Sequence, residues 1–385
     1  MARPDTPEIL QHLVSFDTTS ARSNLEIIGW IRSWLDALHI PCRVSHTPDG
    51  GKANLHAIIG PMVGGGIALA GHLDTVPVTG QAWSGDPFQL RAEGDRLIGR
   101  GAVDMKGFVA ACLASAPDLA RAPLVRPLHL FFTYDEEVGC HGARALIETL
   151  DAWAPRPALC VVGEPTGMQP VIAHKGRLAA RVRVRGTPGH SSQPGRGVNA
   201  IHCAAEAIAW LARDARRFAC EGPFEPGYDP PHTTLQVGTV TGGAALNMIP
   251  EQAEFALEWR TIAADDFFRE LDRLRAHIAA TIEPEMHRLA PESGFGIEVT
   301  DWIPGLSLPG DHALATLVRQ LTGANDVAKV SYGTEAGLYQ QAGIPSIVCG
   351  PGFIAQAHQP DEWISRAQLA VCDSFIRRLG GWLAA

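Results

Sequence analysis

The chain has 385 residues, more than one ordinary hydrophobic core organises, because domains run to roughly 100–200 residues. Two domains are therefore expected. Hydrophobic residues make up 46% and charged residues 19%, the balance of a soluble globular enzyme. The net charge of −9 argues against a nucleic-acid partner, which rewards clustered Lys and Arg.

The first residues, MARPDTPEIL, lack the basic segment and apolar stretch of a secretory signal. No apolar run approaches the ~20 residues that span a bilayer, so no membrane role is expected. The eight cysteines are scattered without a Cys-x-x-Cys pair. That usage fits reduced thiols in a cytoplasmic protein better than a disulfide scaffold.

A first helix is signalled by Thr6 as N-cap, Pro7 and Glu8. A second is expected over 24–39, with Leu25, Ile28, Ile31, Trp34, Leu35 and Leu38 on one face. Short apolar runs follow at 67–70, 128–132 and 158–162, with a helical stretch at 105–116 between them. Strands apolar on both faces belong in a sheet covered on both sides, so this half reads as α/β with a mostly parallel sheet flanked by helices.

The pattern changes near residue 177. Leu178, Ala180, Val182 and Val184 alternate with Ala179, Arg181, Arg183 and Arg185, and Phe255, Leu257 and Trp259 alternate with polar neighbours. Alternation means one buried and one wet face, as antiparallel sheets allow. Helical stretches at 198–216 and 265–282 would cover the apolar face. After about 305 the buried style returns, with helices at 311–321 and 365–379 around a strand at 346–349. The expected division is a catalytic domain over 1–176 and 305–385, with an α+β domain inserted at 177–304.

Five polar segments follow buried strands. His72 and Asp74 lie in Gly71-His72-Leu73-Asp74-Thr75-Val76-Pro77, after the run at 67–70. Open α/β sheets place ligands at such strand ends. A ligating histidine usually gives its other ring nitrogen to a carboxylate, though for this fragment alone a His-Asp pair in a polar turn is the simpler reading. Asp104, in Gly99-Arg100-Gly101-Ala102-Val103-Asp104-Met105-Lys106-Gly107, reads as a helix N-cap or as a ligand. Asp135, Glu136 and Glu137 follow the strand at 128–132. Three adjacent carboxylates there are costly without a cation, unless the loop is solvated. Glu164 ends a further strand, and His358 stands in Ala357-His358-Gln359-Pro360-Asp361-Glu362. Each fragment is weak alone; together they form a repeated pattern. Nitrogen and oxygen donors suit zinc, cobalt or manganese rather than a thiolate site. Two dications sharing Asp104, Glu137 and Glu164 would keep a residual positive charge, which favours ionisation of a bound water.

These segments, in this order, resemble the M20 metallopeptidases, a family of acetylornithine deacetylases, succinyl-diaminopimelate desuccinylases, aminoacylases and carboxypeptidase G2. The resemblance runs from Gly71 to Glu362 and implies a catalytic domain of the zinc-dependent exopeptidase type with an inserted lid that mediates homodimerisation. It implies two Zn²⁺ per subunit, with Co²⁺ able to substitute. His72, Asp104 and Glu164 would hold one ion, and Glu137, His358 and the shared Asp104 the other. Glu136 would be the general base and Asp74 the residue orienting His72. His190, within Gly186–Ser192, would reach a partner subunit's site and polarise the scissile carbonyl. Arg260 and Asn247 look like the substrate-carboxylate residues. Gly333, Thr334 and Glu335 would add backbone donors, with Glu335 facing a cationic side chain. Hinges near Gly176 and Gly305 would let the lid close.

Three stretches, at 173–176, 190–201 and 350–362, lean toward the acetylornithine deacetylase branch, whose setting is arginine biosynthesis. The small-molecule substrate implied is an N-acyl amino acid. Arg177, after His-Lys-Gly, falls at a variable family position and leaves the acyl and side-chain preference open. The rival expectations are another N-acyl-amino-acid hydrolase of the family and, from a different class, a catalytically silent metal-binding scaffold.

Overall fold

The computed structural model describes residues 4–385. The chain divides into two units. The first comprises Met1–Ala173, Leu306–Lys329 and Thr334–Ala385; the second comprises His174–Gly305 and Val330–Gly333. The crossings at 173/174 and 305/306 lie within three residues of the expected 176/177 and 304/305. The short return at 330–333 had no signal in composition or periodicity.

The first unit is built on a nine-stranded sheet. Its centre is the parallel set Leu128–Thr133, Ile67–His72, Leu159–Pro165 and Ser346–Gly350. The first two and the last are buried throughout, as strands covered on both faces must be. The flanks are antiparallel: Cys42–His46 pairs with Ala53–Ile59, which pairs with Leu128–Thr133. The fold class is thus α/β with a largely parallel sheet, and the antiparallel edge is an addition the apolar runs did not show.

Helix Thr6–Val14 is capped by Asp5 rather than Thr6. Asp5 Oδ1 accepts the Glu8 N–H at 2.9 Å and Glu8 Oε2 accepts the Asp5 N–H at 2.9 Å, a reciprocal capping box. Thr6 instead donates its hydroxyl to Asp373. The second helix is Leu25–Ala37. Asn24 precedes it but makes no side-chain cap; its amide pairs with both backbone groups of Ala53, fixing the helix to the sheet. Helix Gly107–Leu119 starts two residues later than expected, because Ala102–Lys106 forms a separate turn.

The second unit is a four-stranded antiparallel sheet in the order Thr234–Gly242, Gln252–Thr261, Gly176–Arg185, Gly294–Ile303. Leu178, Val182, Phe255, Leu257 and Trp259 pack under helices Ala200–Glu221 and Phe267–His277. Two alternating segments thus announced a sheet whose other two strands, at 234–242 and 294–303, are more exposed and less patterned.

Candidate metal centre and active site

His72 is the last residue of strand Ile67–His72 and is wholly buried. Its Nδ1 faces the Asp74 backbone carbonyl at 2.9 Å and an Asp74 carboxylate oxygen at 3.5 Å. The main-chain oxygen is therefore the nearer partner. The Asp74 carboxylate works further afield. It accepts the Ser20 hydroxyl at 2.7 Å and the backbone N–H groups of Glu136 at 3.0 Å and Glu137 at 3.3 Å. One residue thus sets the His72 ring and the turn that carries the two glutamates.

The other nitrogen of His72 turns inward. Nε2 lies 3.0 Å from Asp104 Oδ1 and 3.5 Å from Glu164 Oε1. The second carboxylate oxygen of Asp104 lies 3.0 Å from His358 Nε2, which is 3.1 Å from Glu137 Oε1. Asp104 therefore stands between two histidines, one oxygen to each. Glu164 completes one side and Glu137 the other. Ligand atoms ~2.0 Å from a tetrahedral zinc are ~3.3 Å apart, so these separations fit the donor sets of two adjacent cations. Glu136, His72 and Glu164 also converge, as do His72, Asp104 and Glu137.

Asp104 is not a helix cap. Its backbone is extended (φ −123°, ψ 89°) and Gly107–Leu119 begins beyond it. Gly101 has φ +77°, and a Cβ there would lie 2.8 Å from Thr75 Cγ2, so the tight turn requires glycine. The turn is held by Glu362, whose role the sequence did not disclose. Its buried carboxylate accepts the N–H groups of Gly101, Val103 and Asp104 and pairs with Arg100 at 2.7 Å. His358 and Asp361 have φ of 59° and 55°, uncommon for side-chain-bearing residues. That loop is tied by Gln81 to the His358 carbonyl at 3.0 Å, and by Ser84 N–H and Arg91 to Asp361 at 3.0 and 2.7 Å.

The electrostatics of the cluster calls for cations. Removal from water and mutual repulsion push Glu164 and Glu136 well above the usual carboxylate range, and Glu137 upward. Burial acts against a charged His72, yet hydrogen bonds to Asp104 and Asp74 raise it well above an ordinary imidazole. Hydrogen bonds to Asp104 and Glu137 raise His358 to about 11. Burial opposes ionisation of Asp104, but the two histidines outweigh it and hold its pKa down. Protons here occupy the places that divalent ions fill more effectively.

Glu136 stands beside this cluster, and the Cys140 sulfur lies 3.6 Å from its Oε1. Its carboxylate is not shared between the histidines as Asp104 is, which leaves it available to a proton.

His190, Asn247, Arg260 and Gly333 belong to the second unit, Thr334 and Glu335 to the first. His190 and Asn247 are neighbours: Gly189–His190 pairs with Met248–Ile249, and Ser191 N–H donates to the Asn247 carbonyl at 3.1 Å. Arg260 is partly exposed and shares Glu258 with Arg177. Thr334 is buried and its hydroxyl accepts the Ala336 N–H. Glu335 departs from expectation. It is fully buried, with Thr133 donating to Oε2 at 2.8 Å and Tyr339 to Oε1 at 3.3 Å. The helix Ala336–Gln341 turns Tyr339 back over it, so the carboxyl is spent inside the first unit, and burial lifts its pKa to about 7.

This centre and fold are those of a metal-dependent amide hydrolase, and the chain belongs to the Peptidase family M20/M25/M40, whose model matches residues 68–380. The acetylornithine deacetylase of Photorhabdus laumondii is 34% identical over 375 residues, spanning 97% of this chain and 93% of that one. Among solved structures, an M20 family metallo-carboxypeptidase from Sulfolobus solfataricus superposes with a TM-score of 0.78 at 16% identity, covering 99% of both chains. A Bacillus subtilis protein described as a dinuclear metal binding peptidase of the M20 family gives 0.67 at 17%, covering 98% and 97%. No helix among the described residues is long and apolar enough to cross a membrane.

Proposed function

We propose that the chain is a dinuclear zinc hydrolase that removes the acetyl group from Nα-acetyl-L-ornithine, giving L-ornithine and acetate, with Co²⁺ able to replace Zn²⁺. The observation that carries the two-ion reading is Asp104, with one carboxylate oxygen 3.0 Å from each of two histidines. The N/O donors suit zinc, and the charge pattern fits cations rather than the bare cluster.

His72, Asp104 and Glu164 would hold one ion; Asp104, Glu137 and His358 the other. When bound, the ions polarise the amide carbonyl and acidify water. Glu136 takes the proton from the attacking water and delivers it to the departing amine nitrogen as the C–N bond breaks. Asp74 holds the Glu136 main chain at 3.0 Å while this happens. His190, from a partner subunit, donates a hydrogen bond to the carbonyl oxygen as charge builds on it. The planar guanidinium of Arg260 suits the substrate carboxylate, and Asn247 and the Gly333–Thr334 backbone are the further groups assigned to substrate binding in this reading.

A homodimer through the second unit is supported by its exposed edge strand Thr234–Gly242 and by exposed apolar residues there: Ile201, Val240, Leu246 and Met248. Exposed apolar side chains together with an unpaired strand edge favour an association surface here. All eight cysteines are unpaired, which favours a reducing compartment, and arginine biosynthesis in the cytoplasm is the setting this reading implies.

The test is a panel of Nα-acetylornithine, N-succinyl-diaminopimelate and N-acetylmethionine with the zinc-loaded protein and a chelated control. Chelator-sensitive preference for acetylornithine is expected. Preference for another member keeps the chemistry and changes the substrate, and no hydrolysis of any overturns the proposal.

A further inference from the structure

We infer that Ser192 fixes the tautomer of His190, so that the ring presents Nε2–H as a hydrogen-bond donor and serves as an electrophile rather than a base. The functional part of this inference rests on the reading that His190 acts on the substrate carbonyl.

His190 ends the two-residue strand Gly189–His190, paired with Met248–Ile249. The chain then turns back: Gln193 N–H donates to the His190 carbonyl at 2.9 Å, and Ser191 N–H donates to Asn247. This turn points the Ser192 N–H at the imidazole, 3.1 Å from Nδ1, with the Ser192 hydroxyl 2.8 Å from the same nitrogen.

A backbone N–H only donates. Nδ1 must therefore offer its lone pair, and the neutral ring carries its proton on Nε2. The flipped ring would set Cδ2–H against that N–H and leave it without an acceptor. The other tautomer would set Nδ1–H against it, two donors face to face. The hydroxyl is compatible with either tautomer, because it can donate to a bare Nδ1 or accept from Nδ1–H, so the backbone N–H makes the choice. Nε2 has no protein partner among the described residues.

The consequence is a division of labour. A ring whose lone pair is engaged within its own turn has no free site to accept a proton from water. It keeps one outward N–H, the geometry that stabilises negative charge growing on a carbonyl oxygen. Proton transfer is then left to Glu136. Ser192 is a positioning residue: it acts through the ring it orients, as a tautomer-fixing partner does in other hydrolases.

Histidine-¹⁵N-labelled full-length, zinc-loaded protein, examined by long-range ¹H–¹⁵N correlation at pH 8, decides the question. A His190→Gln sample identifies the resonance. The expected wild-type pattern is Nε2–H with an unprotonated Nδ1; an Nδ1–H pattern would overturn the inference without any variant. Ser192→Ala keeps the N–H and should keep the pattern, with kcat within about threefold. Ser192→Pro removes the donor and should mix the tautomers, lowering kcat about tenfold with KM nearly unchanged. An unaltered pattern in folded Ser192→Pro also overturns it. If His190→Ala keeps full activity while the wild-type pattern stands, the catalytic reading of His190 fails and the tautomer assignment survives.

Discussion

Glu362 and Asp104 are joined through the main chain: Glu362 Oε1 accepts the Asp104 N–H at 3.2 Å and that of Val103 at 2.9 Å, while Oε2 takes Gly101 at 3.1 Å and Arg100 at 2.7 Å. Glu362 stands four residues after His358, so one loop both supplies a proposed ligand and clamps the backbone of the shared carboxylate. Glu362→Gln keeps the shape but turns N–H donors toward donors. Loss of an outer partner of a metal ligand typically costs 10–100-fold in affinity, and a similar rise in zinc dissociation constant, about 10–100-fold, is expected here. Competition against a chromogenic chelator measures it, and unchanged affinity would show that the clamp does not act on the centre.

Glu136 is the carboxylate left out of the bridging arrangement. Glu136→Gln should lower kcat by about 10²–10⁴, the usual contribution of proton transfer by a positioned group. Zinc content by elemental analysis should not change, because the bridging contacts run through Asp104, Glu137, Glu164 and the two histidines. Near-normal turnover with both sites filled would sink the base assignment.

Legibility in the sequence followed the range of the interactions. His72, Glu136, Glu137 and Glu164 stand out as candidates because each follows a buried apolar run, and strand ends in α/β sheets are where ligands gather; their separate roles, like that of Asp104, come from the family resemblance. Asp104 needed the family resemblance, since a carboxylate before a helix is most simply a cap; in the structure an extended backbone takes it off the helix. The role of Glu362 leaves no trace in its motif, because it acts on backbone N–H groups far away in the chain, which leave no pattern of residue types. The burial of Glu335 is hidden in the sequence for a related reason. Nothing in Gly333-Thr334-Glu335 tells that Thr133 and Tyr339 will close over the carboxyl.

Metal loading should expel protons. Hydrogen bonds to carboxylates hold His72 and His358 protonated in the metal-free cluster, the latter up to about 11, and an imidazole must be neutral to ligate. Burial also raises Glu164 and Glu137, so they retain protons more readily than free carboxylates. At pH 7.5, filling both sites should release about two protons or more per chain. Calorimetric titration of the apo-protein with zinc in buffers of different ionisation enthalpy reads this number directly. Binding heats independent of the buffer would contradict the protonated cluster.

His56 and His129 give the first unit a liability on the acid side that is separate from the metal centre. His56 Nε2 and His129 Nδ1 are 3.0 Å apart, both residues are buried, and Phe131 and Trp153 pack edge-on against His56. Burial, then the neighbouring His129 and Arg43, lowers His56 to about 3; burial alone lowers His129 to about 4. Both folded values lie below the ~6.5 of an unfolded histidine. Between pH 6.5 and about 4 the unfolded chain therefore binds more protons than the folded one, and stability falls as pH falls. The slope approaches about 1.4 kcal/mol per pH unit for each histidine. Nothing is gained above pH 6.5, where both states are neutral at these positions. Urea unfolding of apo-protein across this window, compared with the His56→Phe/His129→Leu variant, isolates the pair from the carboxylates. The variant should lose stability more slowly on acidification, by up to about 2.7 kcal/mol per pH unit. Parallel curves would mean that the folded pair takes up protons as readily as the unfolded chain, against the lowering that burial imposes on both rings.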